Sequence, residues 1–373
     1  MKNKNRYQLN EDLVIYADDG ALYLWLYSDG QLYELDLESL NKISNFIFGD
    51  ASEFSIQEFG QLIDEKIITT PVVNNWEWGM AAKLFHESTK FKIIKDVPDV
   101  DPLSEDVTDL CFIMHQSFKN NDVRDKDSLS EKLDNLIPLS NPQIDKLEST
   151  SIYSALINRK TTRQFNGAPL EESVLATILY ICFAELPLPW EGLDSRIIEI
   201  NSKHRTSPSG AGLHANEVFV YVINVSGVNK GIYKYLTKSH QLQTISSFEG
   251  GINFKNIFGS CECTSGIDVL LCMSSDFEKT WTRYKNPRAY RTALLDIGHL
   301  SQTVNLVCSS LGVSTWASTN FDDDFVCENL NINYNNSPPI IFIGIGYGCG
   351  TLSKNFIQHV ENSLSRRRFF ENV

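Results

Sequence analysis

Three cationic side chains and a candidate hydroxyl lie within five positions near the middle of the chain: Arg159, Lys160, Thr161 and Arg163. They directly follow a short apolar pattern with helical spacing at 152–157. A guanidinium group binds a phosphate through two parallel hydrogen bonds, and a hydroxyl group adds a further donor. The cluster therefore suits a phosphate group, although a solvated basic turn would carry the same residues.

A glycine-rich segment follows at 207–214, where the sequence reads SPSGAGLH. Glycine allows a backbone to come close to a ligand, and successive N–H groups can bind an anion. Pro208, Ser209 and Gly210 are therefore candidates for contact with a flat or anionic ligand. An ordinary tight loop remains the alternative.

Cations and aromatic residues alternate at 281–291, which reads WTRYKNPRAYR. Such a stretch suits a pocket wall that combines ring stacking with charge. Tyrosine and arginine are also enriched at protein–protein interfaces, so a subunit contact is equally compatible with this stretch.

The first 72 residues predict a small module of strands and helices. Asp-Gly pairs at 19–20 and 29–30 separate short β-rich runs, which is a hairpin signal, and helical patterns follow at 37–48 and 55–66. We interpret 1–72 as winged-helix-like. A sheet edge beside a helix could take an extended peptide as an added strand, and a structural or dimerising appendage is the alternative.

Residues 73–150 predict a linker region, with one helix at 76–92 and an acidic, proline-containing loop at 96–109. The main domain then covers 151–373. It contains a helical pattern at 170–183, buried strand runs at 218–225, 267–273 and 339–346, and a short strand at 231–235. A helix at 294–311 is apolar nearly all round and is expected to be buried; Gly312 ends it, and a Ser/Thr/Asp loop follows at 314–324.

The composition restricts the partners. The formal net charge is −14 and the isoelectric point is near 5.0, so nucleic acid and acidic membranes are not expected as partners. The chain has 8 cysteines, but no pair of them has a second pair or a histidine at zinc-binding spacing, so no metal site is expected. The N-terminus lacks an apolar signal segment and no run has the length of a membrane span, so a reducing cytoplasm is the expected location.

From residue 152 onward, the sequence resembles the nitroreductase-like flavoproteins. Within them it is similar to the azoline-oxidising dehydrogenases of peptide natural-product pathways, the SagB, McbC and cyanobactin oxidase group. The matching pieces occur in family order: RKTTRQF at 159–165, PSGAGL at 208–213, GIYKY at 231–235, RAYRTALLDIGHLSQ at 288–302, LGV at 311–313 and FDDD at 321–324. The N-terminal module resembles the peptide-clamp-like domains of this group in its pattern only.

This resemblance implies an α+β nitroreductase-like fold, with a central antiparallel-type mixed sheet flanked by helices, and a homodimer with FMN at the subunit interface. Arg159, Lys160, Thr161 and Arg163 would hold the phosphate and ribityl chain, together with one arginine of 366–368, for which we choose Arg367. Pro208, Ser209 and Gly210 would approach the flavin ring. Ala317, Ser318 and Thr319 would lie near its N5 edge.

The group carries a Lys-Tyr pair just before the Arg-x-Tyr-Arg motif, and the matching residues here are Arg283 and Tyr284. Arginine effectively cannot lose its proton, so Arg283 cannot act as a base in place of the lysine. Tyr284 is therefore our candidate general base, with Arg283 and Lys285 assisting.

The resemblance implies two-electron oxidation of a thiazoline or oxazoline ring in a ribosomal precursor peptide, with hydride transfer to FMN. A cyclodehydratase would be a further partner. The alternatives are a different flavin reaction driven by NAD(P)H, such as reduction of a dehydroamino acid, nitro compound or quinone, and a non-catalytic peptide-binding scaffold.

Overall fold

The computed structural model describes residues 7–27, 31–48, 57–71, 80–88, 135–187, 204–248, 253–259, 265–284 and 287–349. The described residues up to Ser88 belong to one compact unit, and those from Asn135 onward belong to another, apart from Pro287 and Arg288. Within the described part of the chain, no helix has the length and apolar composition needed to cross a membrane.

Within its described residues, the N-terminal unit contains eight short elements: β1 (Gln8–Leu9), β2 (Leu13–Asp18), β3 (Ala21–Leu26), β4 (Gln31–Glu34), α1 (Leu37–Phe48), α2 (Gly60–Asp64), β5 (Ile68–Thr69) and α3 (Met80–Ser88). Strands β2, β3 and β4 form an antiparallel sheet in that order, so β4 is an edge strand. Asp19 and Gly20 have φ of 47° and 82°, as a two-residue hairpin turn requires, which confirms the first predicted turn. The second predicted turn, at 29–30, lies outside the described residues.

The C-terminal unit contains the remaining elements: β6 (Leu136–Pro138), α4 (Ile144–Glu148), α5 (Ile152–Asn158), β7 (Leu170–Glu171), α6 (Glu172–Phe183), β8 (Asn216–Val222), β9 (Val225–Ser226), β10 (Gly231–Leu236), β11 (Gln241–Ser247), α7 (Phe254–Phe258), β12 (Val269–Ser275), α8 (Phe277–Arg283), α9 (Ala289–Ser310), β13 (Ser314–Ser318), α10 (Asp323–Leu330) and β14 (Pro339–Gly346). The expectation of an α+β architecture is confirmed for this part of the chain.

One seven-stranded sheet organises this unit, in the order β13-β14-β12-β8-β10-β11-β6. Its neighbouring strands pair antiparallel throughout. Among the described residues, the parallel pairing expected of a mixed sheet occurs only in the short pair β7–β9 and in a bridge between Thr161 and Thr315 at the sheet edge.

The central strands are buried on both faces because their side chains alternate between two apolar layers. Val218, Val220 and Val222 of β8 pack with residues of α6 and α9 on one side. Phe219 and Tyr221 pack on the other side with residues of α7, α10 and β13. Helix α6 is therefore apolar on nearly all of its faces, and α9 covers the sheet next to it.

Helix α9 is not fully buried, so the expectation that the apolar helix at 294–311 is buried is wrong. One side packs on the sheet through Ile297, Leu300 and Val304. The other side forms an exposed strip, in which Leu295 keeps 63% of its surface exposed. This exposed strip consists of Leu294, Leu295, Gly298, His299 and Gln302. The apolar residues of α9 therefore divide between one buried side and an exposed side that carries Leu294 and Leu295 beside polar residues.

The prediction of a loop at 314–324 is also wrong for residues 314–318. Ser314–Ser318 forms the edge strand β13, which pairs with β14 from Ser314–Gly346 to Ser318–Phe342. Thr315 and Trp316 are buried, because Thr315 is hydrogen-bonded to Asn305 of α9 and Trp316 packs on Phe258 of α7. Helix α10 then begins at Asp323, where the Asp322 carboxylate accepts a hydrogen bond from the Phe325 N–H at 2.9 Å.

Asp268 is a fully buried carboxylate at the start of β12. Its Oδ1 atom accepts a hydrogen bond from Asn224 Nδ2 at 2.9 Å. Burial raises the pKa of Asp268 to about 6, and the hydrogen bonds from Asn224 and the Tyr347 backbone oppose this shift only in part.

We predict that Asp268→Asn stabilises the protein at neutral pH. A carboxyl group whose folded pKa is raised from 3.8 to about 6 destabilises the fold progressively as the pH rises between these values. The amide cannot ionise, so the variant should gain on the order of 2–3 kcal/mol over the wild type at pH 7, and this gain should vanish below pH 4. Urea unfolding from pH 3.5 to 8 measures it, with exposed Asp145→Asn as control. A difference that does not change with pH would contradict the assignment.

Candidate functional site

The basic segment leaves helix α5 and joins the edge of the sheet. The Ser151 hydroxyl caps α5 by accepting a hydrogen bond from the Ser154 N–H at 3.1 Å, and Arg159 follows the last helical residue. The chain then becomes extended: Thr161 forms a parallel bridge with Thr315, and the Thr162 N–H donates to the Thr315 carbonyl at 2.8 Å. Pairing with β13 therefore fixes the position of the cationic residues.

A cavity of about 260 Å³ lies where this segment meets the C-terminal end of α9 and the start of β13. Its lining contains two cations, several amide and hydroxyl groups and no carboxylate. The lining residues are Asn158, Arg159, Lys160, Asn305, Ser309, Gly312, Val313, Ser314 and Thr315. In a chain with a net charge of −14, such a lining favours an anion.

Hydrogen bonds hold the floor of this cavity in place. The Thr315 hydroxyl donates to Asn305 Oδ1 at 2.6 Å, and Asn305 Nδ2 donates to the Ser301 carbonyl at 2.8 Å. Ser309 Oγ donates to the Ala155 carbonyl at 2.9 Å, which ties α9 to α5. Gly312 ends α9 with a φ of 74°, a conformation that glycine adopts without strain, and it turns the chain into β13.

The glycine-rich loop at 207–214 lies against the N-terminal half of α9. Ser209 Oγ donates to Asp296 Oδ2 at 2.5 Å, and the Gly210 N–H lies 3.2 Å from both oxygens of the same carboxylate. Burial raises the pKa of Asp296, and the hydrogen bonds from Ser209 and Gly210 oppose this shift.

Tyr284 meets this loop at Gly210. Tyr284 directly follows α8, and its hydroxyl lies 3.9 Å from the position that a Cβ atom at Gly210 would take. The guanidinium carbon of Arg283 lies 5.9 Å from the centroid of the Tyr284 ring, so a positive charge is close to this phenol. Two pieces that are more than 70 positions apart in sequence thus come together here.

The predicted site residues fall into two groups along α9. Arg159 and Lys160 line the cavity, and Thr161 pairs with β13, whose last two residues are Ala317 and Ser318. Pro208, Ser209 and Gly210 lie near Tyr284 instead. Asp296 contacts the loop and Asn305 lines the cavity. These two residues are nine positions apart on α9, so the two groups are separated by about 14 Å along the helix axis.

Two further predicted residues are exposed, and two others lie outside the described residues. Arg163 is exposed and does not line the cavity. Thr319 follows β13 and is exposed. Lys285 and Arg367 lie outside the described residues, so their predicted roles stay predictions.

The sequence did not predict several polar residues that line the cavity or hold the 207–214 loop. Asn305, Ser309, Ser314 and Thr315 line the cavity, and Asp296 holds the loop. The only available signal was that Asp296 and Asn305 are polar residues within an otherwise apolar helical pattern. Their partners could not be predicted, because they come from distant segments of the chain.

Comparison with known proteins then identifies the family. The family model described as "Nitroreductase family" matches residues 156–347, which is 192 of 373 residues. The chain belongs to the nitroreductase family. The protein is thus a flavin oxidoreductase, and members of the nitroreductase family typically bind FMN.

Two curated relatives extend this comparison. A Methanocaldococcus jannaschii protein named as a nitroreductase is 25% identical over 55% of this chain and 94% of its own length. The microcin B17-processing protein McbC of Escherichia coli is 25% identical over 38% of this chain, and the match spans 53% of McbC. The nitroreductase-family assignment and a distant similarity to McbC, both expected from the sequence, are thus confirmed.

A solved structure is also similar. The Escherichia coli microcin synthetase McbBCD complex with truncated pro-MccB17 bound contains a chain that matches with a TM-score of 0.42 and 20% identity. The match covers 71% of this chain and 91% of that chain.

The residues present fit the phosphate end of FMN. The cavity offers a guanidinium group, an ammonium group and neutral donors around one space. Beside it, Thr162 Oγ1 is buried and has no hydrogen-bond partner among the described residues. The backbone is also packed closely there, because a Cβ atom at Gly348 would lie 2.6 Å from Ser314 Oγ and 3.1 Å from Thr162 Cγ2.

We predict that Gly210→Ala destabilises the protein through a collision with Thr292. The added methyl group would overlap the Thr292 Cγ2 methyl group, and overpacking of this kind costs about 1–3 kcal/mol. Thr292→Ala removes this methyl group, so the double variant should recover most of the loss. Chemical unfolding of both single variants and the double variant measures the coupling, and purely additive losses would contradict the contact.

Proposed function

We propose that this nitroreductase-family protein is an FMN-dependent dehydrogenase that oxidises thiazoline or oxazoline rings of a ribosomal precursor peptide. The observation that carries the proposal is the position of the Tyr284 hydroxyl beside Gly210, in the loop whose sequence is expected to face the flavin ring. The distant similarity to McbC, a protein named for processing microcin B17, supports the substrate class.

The cavity at Arg159 and Lys160 would hold the phosphate of FMN. These two cations also lie at the C-terminal end of α5. There the interaction of a positive charge with the helix dipole stabilises the fold by about 0.3–1 kcal/mol even without a ligand. A charge-assisted hydrogen bond to a phosphate contributes about 1.5–3 kcal/mol, which is larger. The hydroxyl and amide groups in the lining would complete the shell around the phosphate oxygens.

Tyr284 would remove the proton from the Cα atom of the azoline ring. Arg283 keeps its charge at all relevant pH values, and its guanidinium group lies against the Tyr284 ring. A nearby positive charge stabilises a phenolate, so Arg283 would support proton removal by Tyr284 without itself acting as the base. FMN, when bound, supplies the acceptor for the hydride that leaves the neighbouring carbon, and the substrate loses two hydrogens in total.

A second copy of the chain would cover the exposed strip of α9. In the C-terminal unit, α5 adds further exposed apolar side chains, with Ile152 at 74% and Ile157 at 67% exposure. Large exposed apolar surfaces usually mark interaction sites. The exposed strip shares α9 with the residues that attach the Gly210 loop and with Asn305 and Ser309 of the cavity, so a homodimer formed there would bring the two parts of the candidate site near one interface.

The N-terminal module would bind the precursor peptide. Strand β4 is an edge of its three-stranded sheet, and an edge strand can accept an extended peptide as an additional strand. Its winged-helix-like character and the boundaries 1–72, 73–150 and 151–373 remain part of this proposal, as does a cyclodehydratase partner.

A different flavin reaction is the second candidate. The similarity to a protein named as a nitroreductase, which spans 94% of that protein, favours reduction of a nitro compound or quinone with NAD(P)H. The two candidates differ in the direction of electron flow. Bleaching of the flavin by NAD(P)H without peptide would favour the reductase.

We predict that Arg159→Ala weakens FMN binding about 10- to 100-fold, because loss of a charge-assisted phosphate contact costs about 1.5–3 kcal/mol. Equilibrium dialysis against FMN measures this change. Lys146→Ala, which removes an exposed cation on α4, is the control and should bind like the wild type. Equal affinities for wild type and Arg159→Ala would remove Arg159 from the phosphate site.

We predict that the wild type removes two hydrogens from an azoline-containing peptide, and that Tyr284→Phe slows this step by about 10²-fold or more with FMN still bound. Mass spectrometry detects the loss of 2 Da, and absorbance reports the bound flavin. Tyr290→Phe, at a half-exposed tyrosine that packs on Phe277, is the matched control. Full activity of Tyr284→Phe would rule out its role as the base, and no mass change with any azoline peptide would reject the proposed reaction.

A further inference from the structure

Asp296 is a buried carboxylate in the middle of helix α9, with 7% of its surface exposed. It accepts hydrogen bonds from the Ser209 hydroxyl and from the Gly210 N–H. Ser209 Oγ in turn accepts a hydrogen bond from the His214 N–H at 3.0 Å. A single carboxylate thus organises both ends of the turn at 209–214.

A second attachment lies two helical turns further along α9. Ser207 Oγ and Thr303 Oγ1 are 2.6 Å apart and share a hydrogen bond. Positions 296 and 303 are seven residues apart and therefore lie on the same side of the helix. The loop runs along this side, from Thr303 past Asp296 to Thr292, which contacts Gly210.

The loop needs such attachments because its backbone is strained. Ala211 and His214 have φ of 50° and 43°, and side chains with a Cβ atom disfavour this left-handed region. Strained residues of this kind persist only where the surrounding structure holds them in place. The hydrogen bonds to Asp296 and Ser209 are the contacts that flank both strained residues.

A carboxylate suits this position better than a neutral side chain. Oδ2 accepts from the Ser209 hydroxyl, and the Gly210 N–H is shared between Oδ1 and Oδ2. An amide at this position would replace one of these oxygens by an NH2 group, and in the Oδ1 position that donor would face the Gly210 N–H. Burial without these hydrogen bonds would be unfavourable for the charge, so the carboxylate and the loop stabilise each other.

We propose that Asp296 is a positioning residue that holds the 207–214 loop against α9 and thereby sets the distance between the Gly210 backbone and the Tyr284 hydroxyl. Gly210 is the point where the Asp296 carboxylate, the Thr292 methyl group and the Tyr284 hydroxyl all approach one residue. The role in catalysis rests on the proposed function, whereas the attachment of the loop does not.

Amide hydrogen exchange of the purified full-length protein tests the attachment. Asp296→Asn and Ser209→Ala should each accelerate exchange in the peptide that covers 207–214 by about tenfold or more, because the loop opens without global unfolding. Ser301→Ala is the matched control on the same helix, since the Ser301 hydroxyl bonds only the Gly298 carbonyl among the described residues. Unchanged exchange in both Asp296→Asn and Ser209→Ala would overturn the attachment.

Steady-state kinetics with an azoline peptide tests the catalytic role. A small displacement of a reacting group can slow a reaction by about 10²-fold, so Asp296→Asn should lower kcat by about 10- to 100-fold with a much smaller change in KM. Asp296→Glu keeps both acceptor oxygens and should recover part of this loss. A looser loop with unchanged kcat would overturn the positioning role. If the wild type neither binds FMN nor oxidises the peptide, the proposed function fails, and the exchange experiment still decides the attachment.

Discussion

Helix α9 is the element on which the candidate site depends. One side must cover the central sheet, so Ile297, Leu300 and Val304 are buried, and the opposite side, which carries Leu294 and Leu295, is exposed. The polar positions between these sides are the places where other segments can attach. Asp296 accepts a hydrogen bond from Ser209 of the glycine-rich loop, and Asn305 accepts one from Thr315 at the cavity. One helix therefore determines where both parts of the candidate site lie.

The balance of charges explains why a phosphate site can exist in an acidic protein. The C-terminal ends of α5 and α9 both lie at the cavity, and their carbonyl groups disfavour an anion by up to about 1 kcal/mol each. Arg159 and Lys160 offset this effect, and the lining residues include no carboxylate. The pairing of Thr161 and Thr162 with Thr315 holds these cations in place, so sheet formation and assembly of the proposed phosphate site are coupled.

Sequence patterns predicted local structure well where one pattern dominated. The 37–48 helix, the Asp19-Gly20 turn, the end of α9 at Gly312 and the strand at 339–346 agree with the structure. Sequence patterns failed where pairing between distant segments determines the local structure. Ser314–Ser318 has the composition of a loop and becomes a strand because β14 pairs with it. The meeting of Tyr284 and Gly210 could be expected only from the family resemblance, since spacing along the chain does not determine which distant segments touch.

Comparing the dissociation constants of FMN and riboflavin tests the phosphate site most directly, because riboflavin lacks only the phosphate group. Two charge-assisted contacts of about 1.5–3 kcal/mol each predict that FMN binds at least about 10²-fold more tightly than riboflavin at low salt. Equal dissociation constants for the two flavins would show that Arg159 and Lys160 do not hold a phosphate, and would contradict this account of the site.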